Sequence, residues 1–251
     1  EKLQKMFEQL QHEHAELEKL ERVRKDFVIN VSHELRTPLA QILLFGETLS
    51  MGRVRSDDER RVAAETIVQE TRRLIHMVEN VLHFARGERG VTRLDARSQP
   101  LAPVLRSVIE AFAPLAHAAG VQVRAELDER LTAVVDAAAL RQIVLNLLDN
   151  AVKYGRGGQT IVVGAERADD VARIWVEDEG PGIPPQDRER IWIPFVRVAR
   201  EPERGGSGIG LAVVRELTLL HGGTARAEST PRGGARFVVE LPASAGAGAA
   251  A

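Results

Sequence analysis

The sequence predicts a multi-domain protein that is α in its first part and α+β in its second: an N-terminal coiled coil and helical hairpin, then an α/β sandwich. Three observations predict this. Through residue 86, apolar residues recur at helical spacing with one polar break at Gly52–Asp58. From residue 92, strand and helix patterns mix without strict alternation. Between them, Gly87–Val91 is polar and glycine-rich and reads as a hinge. The expected boundaries are 1–26 for the coiled coil, 27–86 for the hairpin, 87–91 for the hinge and 92–242 for the sandwich. The Ala/Gly tail, 243–251, reads as disordered.

Residues 1–26 contain no Gly or Pro, and Leu3, Leu10 and Leu17 recur every seven residues, interleaved with Met6 and Leu20. That is a heptad seam, continued by Arg24 and Phe27 and weakened by Glu13. It runs without a break into a helix whose apolar stripe is Val28, Val31, Leu35, Leu39, Ile42, Gly46 and Leu49. His33 points roughly 160° away from the middle of that stripe, into solvent. Glu34 follows it, and Thr37 lies one turn on, on the same side. Pro38 removes a backbone donor and is expected to bend the helix. Taken alone, His33 reads as a surface histidine; with a carboxylate beside it, it also reads as a presented imidazole for acid/base work.

Ser56 or Asp57 is expected to cap the second helix, 58–86, whose stripe is Val62, Ile67, Leu74, Val78, Leu82 and Ala85. A lone hairpin cannot bury both stripes, so two copies are expected to pair as a homodimeric four-helix bundle. In the second domain, helices are expected at Pro100–Ala119, Ala137–Tyr154 (capped by Asp136, closed by Gly155) and Ile209–His221. Strands are expected at Val121–Leu127, Leu131–Val135, Thr160–Glu166, Val171–Glu177, Thr224–Glu228 and Ala235–Leu241. Gly180–Gly206 is too long for an idle loop in a compact domain and reads as a lid.

The totals exclude several classes of function. The net charge of −2 gives no bulk electrostatic case for nucleic acid or an anionic membrane. The absence of cysteine excludes disulfides, zinc–thiolate sites and thiol catalysis. No apolar run approaches the roughly 18–20 residues of a membrane span, and no signal peptide opens the chain. This segment is therefore expected to make no membrane contact. The chain opens directly on charged helical sequence, which we read as a boundary within a longer protein.

Three stretches of the second domain carry chemistry. In Asn146–Tyr154, the side chains of Asn146, Asn150 and Lys153 fall on one helical face. Amide oxygens suit Mg²⁺, and an ammonium suits phosphate. At Asp178–Gly182 a carboxylate ends a strand and two glycines follow. Such a carboxylate can accept a hydrogen bond from an exocyclic amine, and glycine lets backbone approach a flat ligand. Gly205–Leu211 opens a helix with glycines, an anion cradle of backbone N–H groups. It is neither a P-loop nor a dinucleotide fingerprint, because no Gly-Lys-Ser/Thr follows and Leu211 stands where the last glycine would be.

The order and spacing of these motifs resemble the cytoplasmic core of bacterial sensor histidine kinases, from about Phe27 to Leu241. Ser32–Leu39 looks like the phosphoacceptor box, Asn146–Tyr154 the N box, Asp178–Gly182 the first glycine box, Ile191–Arg197 with Phe195 the F box, and Gly206–Leu211 the second glycine box. The resemblance implies a GHKL-type (Bergerat) ATP-binding domain. In it His33 accepts the γ-phosphoryl group and Glu34 orients the imidazole or takes its proton. Asn150 ligates Mg²⁺ with Asn146 nearby, Lys153 contacts phosphate, and Tyr154 packs on the nucleotide. Asp178 binds the adenine amine in a pocket shaped by Gly180 and Gly182, and Gly206, Gly208 and Gly210 cradle the phosphates. Arg197 and Arg204 are candidates for transition-state charge. Thr37 resembles the residue that positions water in kinases that also dephosphorylate their partner.

The implied cofactors are ATP and Mg²⁺. The implied partners are a second copy of the chain and a response-regulator receiver domain, with no nucleic acid. The implied location is cytoplasmic, the full-length protein being membrane-anchored as a family expectation. Related ATPases carry a water-activating Glu where Asn146 stands, and an amide cannot act as that base, so transfer to His33 is expected over hydrolysis. Trp192 replaces a more usual Phe in the F box and is expected to change packing under the lid rather than chemistry. The competing readings are a catalytically silent ATP-binding scaffold and a hydrolytic ATPase. The intact His33, Glu34 and Asn150 argue against the first, and Asn146 against the second.

Overall fold

The computed structural model describes residues 2–87, 94–196, 208–230 and 233–243. Most of the expected hinge, the tail beyond Ala243, and Arg197, Arg204 and Gly206 lie outside the described residues. The chain divides into two compact units, with the boundary between Val78 and Glu79.

In the first unit, helix α1 (Lys2–Ser50) is unbroken and passes through Pro38. It ends in a Schellman turn: Arg53 N–H donates to the Thr48 carbonyl (3.1 Å) and Gly52 N–H to the Leu49 carbonyl (3.2 Å). Gly52 takes φ +64°, which a Cβ would oppose. Helix α2 (Asp57–Gly87) starts one residue earlier than expected. Of the two candidates, Ser56 is the cap. Its Oγ accepts from Glu59 N–H at 3.1 Å, while the Glu59 carboxylate accepts from Arg55 N–H at 2.7 Å, a close relative of the capping box. Within α2 the buried positions include Ala63, Glu70 and Met77, a line of heptad spacing.

The second unit is a two-layer sandwich. Its sheet has the order β2 (Gln122–Leu127), β4 (Thr160–Ala168), β5 (Val171–Glu177), β7 (Ala235–Pro242), β6 (Thr224–Ser229). β2 runs parallel to β4, and the other pairs are antiparallel. Helices α3 (Leu101–Ala118), α4 (Ala137–Tyr154) and α5 (Gly210–Leu220) cover one face. Strand alternation sends Ile161, Val163, Ile174, Val176, Phe237 and Val239 into that core, with Leu105, Ile143, Leu147 and Leu217 opposite. On the other face Arg173 bridges Glu166 and Glu240, and Arg236 bridges Glu177. Trp175 lies there over Gly164, where a Cβ would come within 2.0 Å of the indole.

Among the described residues one strand is unanticipated, as are two short 3-10 helices, Pro185–Asp187 and Arg190–Trp192, within the expected lid. β1 (Arg97–Pro100) pairs antiparallel with β3 (Thr132–Val135) as a separate two-stranded sheet. Its Arg-Ser-Gln-Pro sequence has no apolar residue, so no alternation announces it. The α-helices and other strands of this unit lie within two residues of their expected bounds, and the helix Ala137–Tyr154 and strand Val171–Glu177 match at both ends.

Candidate functional site

In the first unit, His33 and Thr37 are exposed and Glu34 is half-buried, whereas Pro38 is buried. The helix thus presents His33 as its pattern requires. Ser32, Thr48, Thr66 and Thr71 each donate their hydroxyl to the carbonyl four residues back. The Thr37 hydroxyl has no such partner among the described residues.

In the second unit, α4 carries the amide face. Asp136 caps it, Oδ1 accepting from Ala138 N–H (2.8 Å) and Ala139 N–H (3.2 Å). Leu140, Ile143, Val144, Leu147, Leu148 and Ala151 bury the opposite side. Asn146 is only 4% exposed, Asn150 and Lys153 are half-buried, and Tyr154 is exposed at the last turn.

Asp178 follows β5 and is buried. Its Oδ1 accepts from Gly180 N–H at 2.8 Å and Ala235 N–H at 3.1 Å. Among the described residues its Oδ2 accepts no hydrogen bond. Burial pushes the carboxyl above its ordinary value, against the two backbone donors. The walls need glycine. A Cβ on Gly180 would stand 2.9 Å from the Tyr154 carbonyl oxygen, and Gly182 takes φ +71° with its Cβ position 2.6 Å from the Gly233 carbonyl oxygen.

The start of α5 completes the set. Its N-cap, Ile209, offers no side-chain acceptor, so the first backbone N–H groups keep their donor capacity. The Gly208 carbonyl accepts from Phe195 N–H at 3.0 Å, and Phe195 itself takes φ +68°, a strained setting for a phenylalanine. A Cβ on Gly210 would face Asn146 Oδ1 at 3.5 Å, filling the gap between α4 and α5. Trp192 is buried and meets Phe237 edge-on, ring centroids 6.0 Å apart.

Two contributors escape the sequence reading. Gln159, 2% exposed, donates to the Ala151 carbonyl (2.8 Å) and accepts from Glu179 N–H (3.0 Å), joining the end of α4 to the Asp178 turn. Gly155 is glycine because the Gln159 amide lies 1.8 Å from where its Cβ would be. Thr230 Oγ1 accepts from Gly234 N–H (3.0 Å), and a Cβ on Gly234 would meet the Asp178 carbonyl oxygen at 1.8 Å, so the β6–β7 turn is folded onto Asp178. Lone polar residues in loops carry no period by which to find them.

A buried carboxylate with one oxygen clamped and the other available, beside an amide-bearing helix and a glycine-led helix start, suits a nucleotide. Comparison with known proteins gives the family. Residues 135–245 match the family model of the histidine kinase-, DNA gyrase B-, and HSP90-like ATPases, and residues 23–90 match the His Kinase A (phospho-acceptor) domain. The ATPase domain implies ATP binding. Alginate biosynthesis sensor protein KinB of Pseudomonas aeruginosa is 37% identical over 88% of this chain. Sensor-like histidine kinase SenX3 of Mycobacterium tuberculosis is 33% identical over 92% of it. The chain spans 37% and 57% of those proteins' lengths. A crystal structure of full-length ShkA in complex with AMPPNP is 30% identical, with a TM-score of 0.62 over 89% of this chain and 47% of that one. The phosphoacceptor and ATPase domains occur here in one chain and in that order, and the chain belongs to the bacterial sensor histidine kinases.

Proposed function

We propose that this chain autophosphorylates His33 from Mg-ATP as a homodimer and passes the phosphoryl group to an aspartate on a response-regulator receiver domain. The observation that carries the reading is Asp178, whose buried carboxylate keeps Oδ2 available for the adenine amine while backbone N–H groups hold Oδ1.

Asn150 is the residue to hold Mg²⁺, which supplies charge neutralisation at the phosphates. Lys153 contacts phosphate, Tyr154 packs on the base, and Gly208, Gly210 and the start of α5 cradle the phosphate oxygens. Gly206 extends that cradle, and Arg197 and Arg204 supply transition-state charge; these three roles rest on the sequence motif alone. A His33 ring nitrogen attacks the γ-phosphorus. The P–N bond forms, the bond to the β–γ bridging oxygen breaks, and ADP leaves with the electron pair. Glu34, the next residue on α1, takes the proton from the other ring nitrogen. Asn146 offers no base to activate water, which favours transfer over hydrolysis.

The dimer is supported by apolar side chains that one chain leaves uncovered, including Val28 (57% exposed), Leu39 (53%), Leu43 (61%) and Leu44 (59%) on α1. The untied Thr37 hydroxyl supports a second activity, dephosphorylation of the partner by water held at Thr37. No described helix is long and apolar enough to cross a membrane. We place this portion in the cytoplasm, where ATP and receiver domains are found, with any membrane anchor elsewhere in a longer protein.

Transfer is tested by labelling the chain with γ-labelled ATP, removing nucleotide, and adding a purified receiver domain. Label should move to the receiver and stay off its Asp→Asn variant. Label that remains on the chain with every receiver tried, or is shed as phosphate without one, would contradict the reading.

A further inference from the structure

The last turns of α2, from Glu79, belong to the same compact unit as the sandwich. The boundary therefore falls inside a continuous helix, upstream of the glycine-rich stretch at Gly87–Val91. What these turns do there is specific. Asn80 Nδ2 donates to Asn146 Oδ1 at 2.8 Å, and Asn146 Nδ2 donates back to Asn80 Oδ1 at 2.9 Å. Gln142 Nε2 donates to the same Asn80 oxygen at 2.8 Å. Asn80 and Asn146 are 8% and 4% exposed. One turn on, His83 Nε2 lies 3.8 Å from Glu216 Oε2 on α5.

Two side-chain amides that exchange both donor and acceptor are locked in plane and direction. Asn146 is the first amide of the face that also carries Asn150 and Lys153, and its Oδ1 sits 3.5 Å from the Cβ position of Gly210. So the end of α2 lies against the place where α4 and the glycine-led start of α5 come together, which is the phosphate end of the site proposed above. Asn146 cannot turn toward a phosphate or a metal-bound water there without giving up the pair with Asn80.

We propose that Asn80 is a latch: docking of the last turns of α2 on α4 and α5 competes with Mg-nucleotide for Asn146. The inference rests on the nucleotide reading of α4 and α5. Because the two events share one residue, their coupling is reciprocal. Nucleotide loosens the docked turns, and a chain without the latch binds nucleotide more tightly. The contact is polar and local, so it can open without disturbing the apolar core. Release of residues 79–87 then moves the pivot of the ATP-binding domain from inside α2 to the end of that helix, beyond Gly87. Asn80 is on this account a positioning residue that acts through Asn146.

The test uses the whole chain and a non-hydrolysable ATP analogue with Mg²⁺. Asn80→Ala should bind the analogue about five- to tenfold more tightly than the parent, the size expected for losing a pair of neutral hydrogen bonds that oppose binding. A His83→Ala variant, which removes the second contact and leaves Asn146 paired, should shift affinity in the same direction by less. In the unaltered chain, amide hydrogen exchange across 79–87 should speed up when the analogue is added. Unchanged or weaker binding by Asn80→Ala, or slower exchange across 79–87 with analogue, would overturn the latch while leaving the nucleotide site standing. A parent chain that binds no analogue at all would overturn the nucleotide reading and the latch with it.

Discussion

His221 Nε2 accepts a hydrogen bond from the backbone N–H of Asp136 at 3.0 Å. The acceptor role puts the ring proton on Nδ1, which donates to the Leu217 carbonyl at 2.7 Å. The end of α5 is thereby tied to the start of α4, the two helices that carry the glycine-led cradle and the amide face. His221→Leu leaves the Asp136 N–H and the Leu217 carbonyl without these partners. It should cost about 1–3 kcal/mol in a denaturant titration.

Asp136 itself makes the unit sensitive to acid. Burial acts to raise its carboxyl, but the Asp95, Ala139 and Ala138 backbone donors outweigh burial and hold it below the ordinary 3.8. A depressed folded value contributes stability above the unfolded value, lost as pH falls from about there through the lowered one. Asp136→Asn should therefore flatten the acid limb of a stability–pH curve and lower stability at neutral pH.

Asp178 has the opposite sign. Its folded value is raised, first by burial, so its contribution is fully present in acid and is lost as pH rises through that value. Asp178→Asn keeps an acceptor for Gly180 and Ala235 and removes the desolvated charge. Near neutral pH its melting temperature should be no lower than the parent's, with the gap closing in acid, while affinity for ATP falls by tenfold or more. A variant that binds ATP like the parent would remove Asp178 from the base-binding role.

Gln159 is the strut between α4 and the Asp178 turn. Gln159→Ala leaves the Ala151 carbonyl with its Gly155 N–H donor alone and the Glu179 N–H without its partner, and should cost about 1–3 kcal/mol in a denaturant titration. Because the turn it supports carries Asp178, ATP affinity should fall as well.

On the proposed function, Thr37 should separate two activities on one helix. Thr37→Ala should reduce dephosphorylation of the phosphorylated receiver several-fold and leave labelling of His33 within about twofold, since of the α1 residues the proposed attack uses only His33 and Glu34. Equal phosphatase rates in the two proteins would count against the role.

The elements with strong periods were legible. The stripe that turns His33 outward, the Asp136 cap and the bounds of α4 follow from spacing and one capping residue. What the sequence could not show is what depends on meeting across distance. Gln159 closes over Gly155, Gly234 abuts Asp178, and Asn80 finds Asn146 at a sequence separation of 66. None of these residues has a period, and their partners are fixed only once the sheet and helices are in place. The polar strand Arg97–Pro100 was invisible for the same reason: its pairing with β3, not its own pattern, makes it a strand.

The measurement that tests the central claim most directly is incubation of the chain with Mg²⁺ and γ-labelled ATP beside its His33→Gln variant. The account predicts label on the native chain that is acid-labile and alkali-stable, and none on the variant. A native chain that binds ATP yet stays unlabelled would contradict it in favour of a silent scaffold. Free phosphate released equally by both proteins, with neither labelled, would contradict it in favour of a hydrolase.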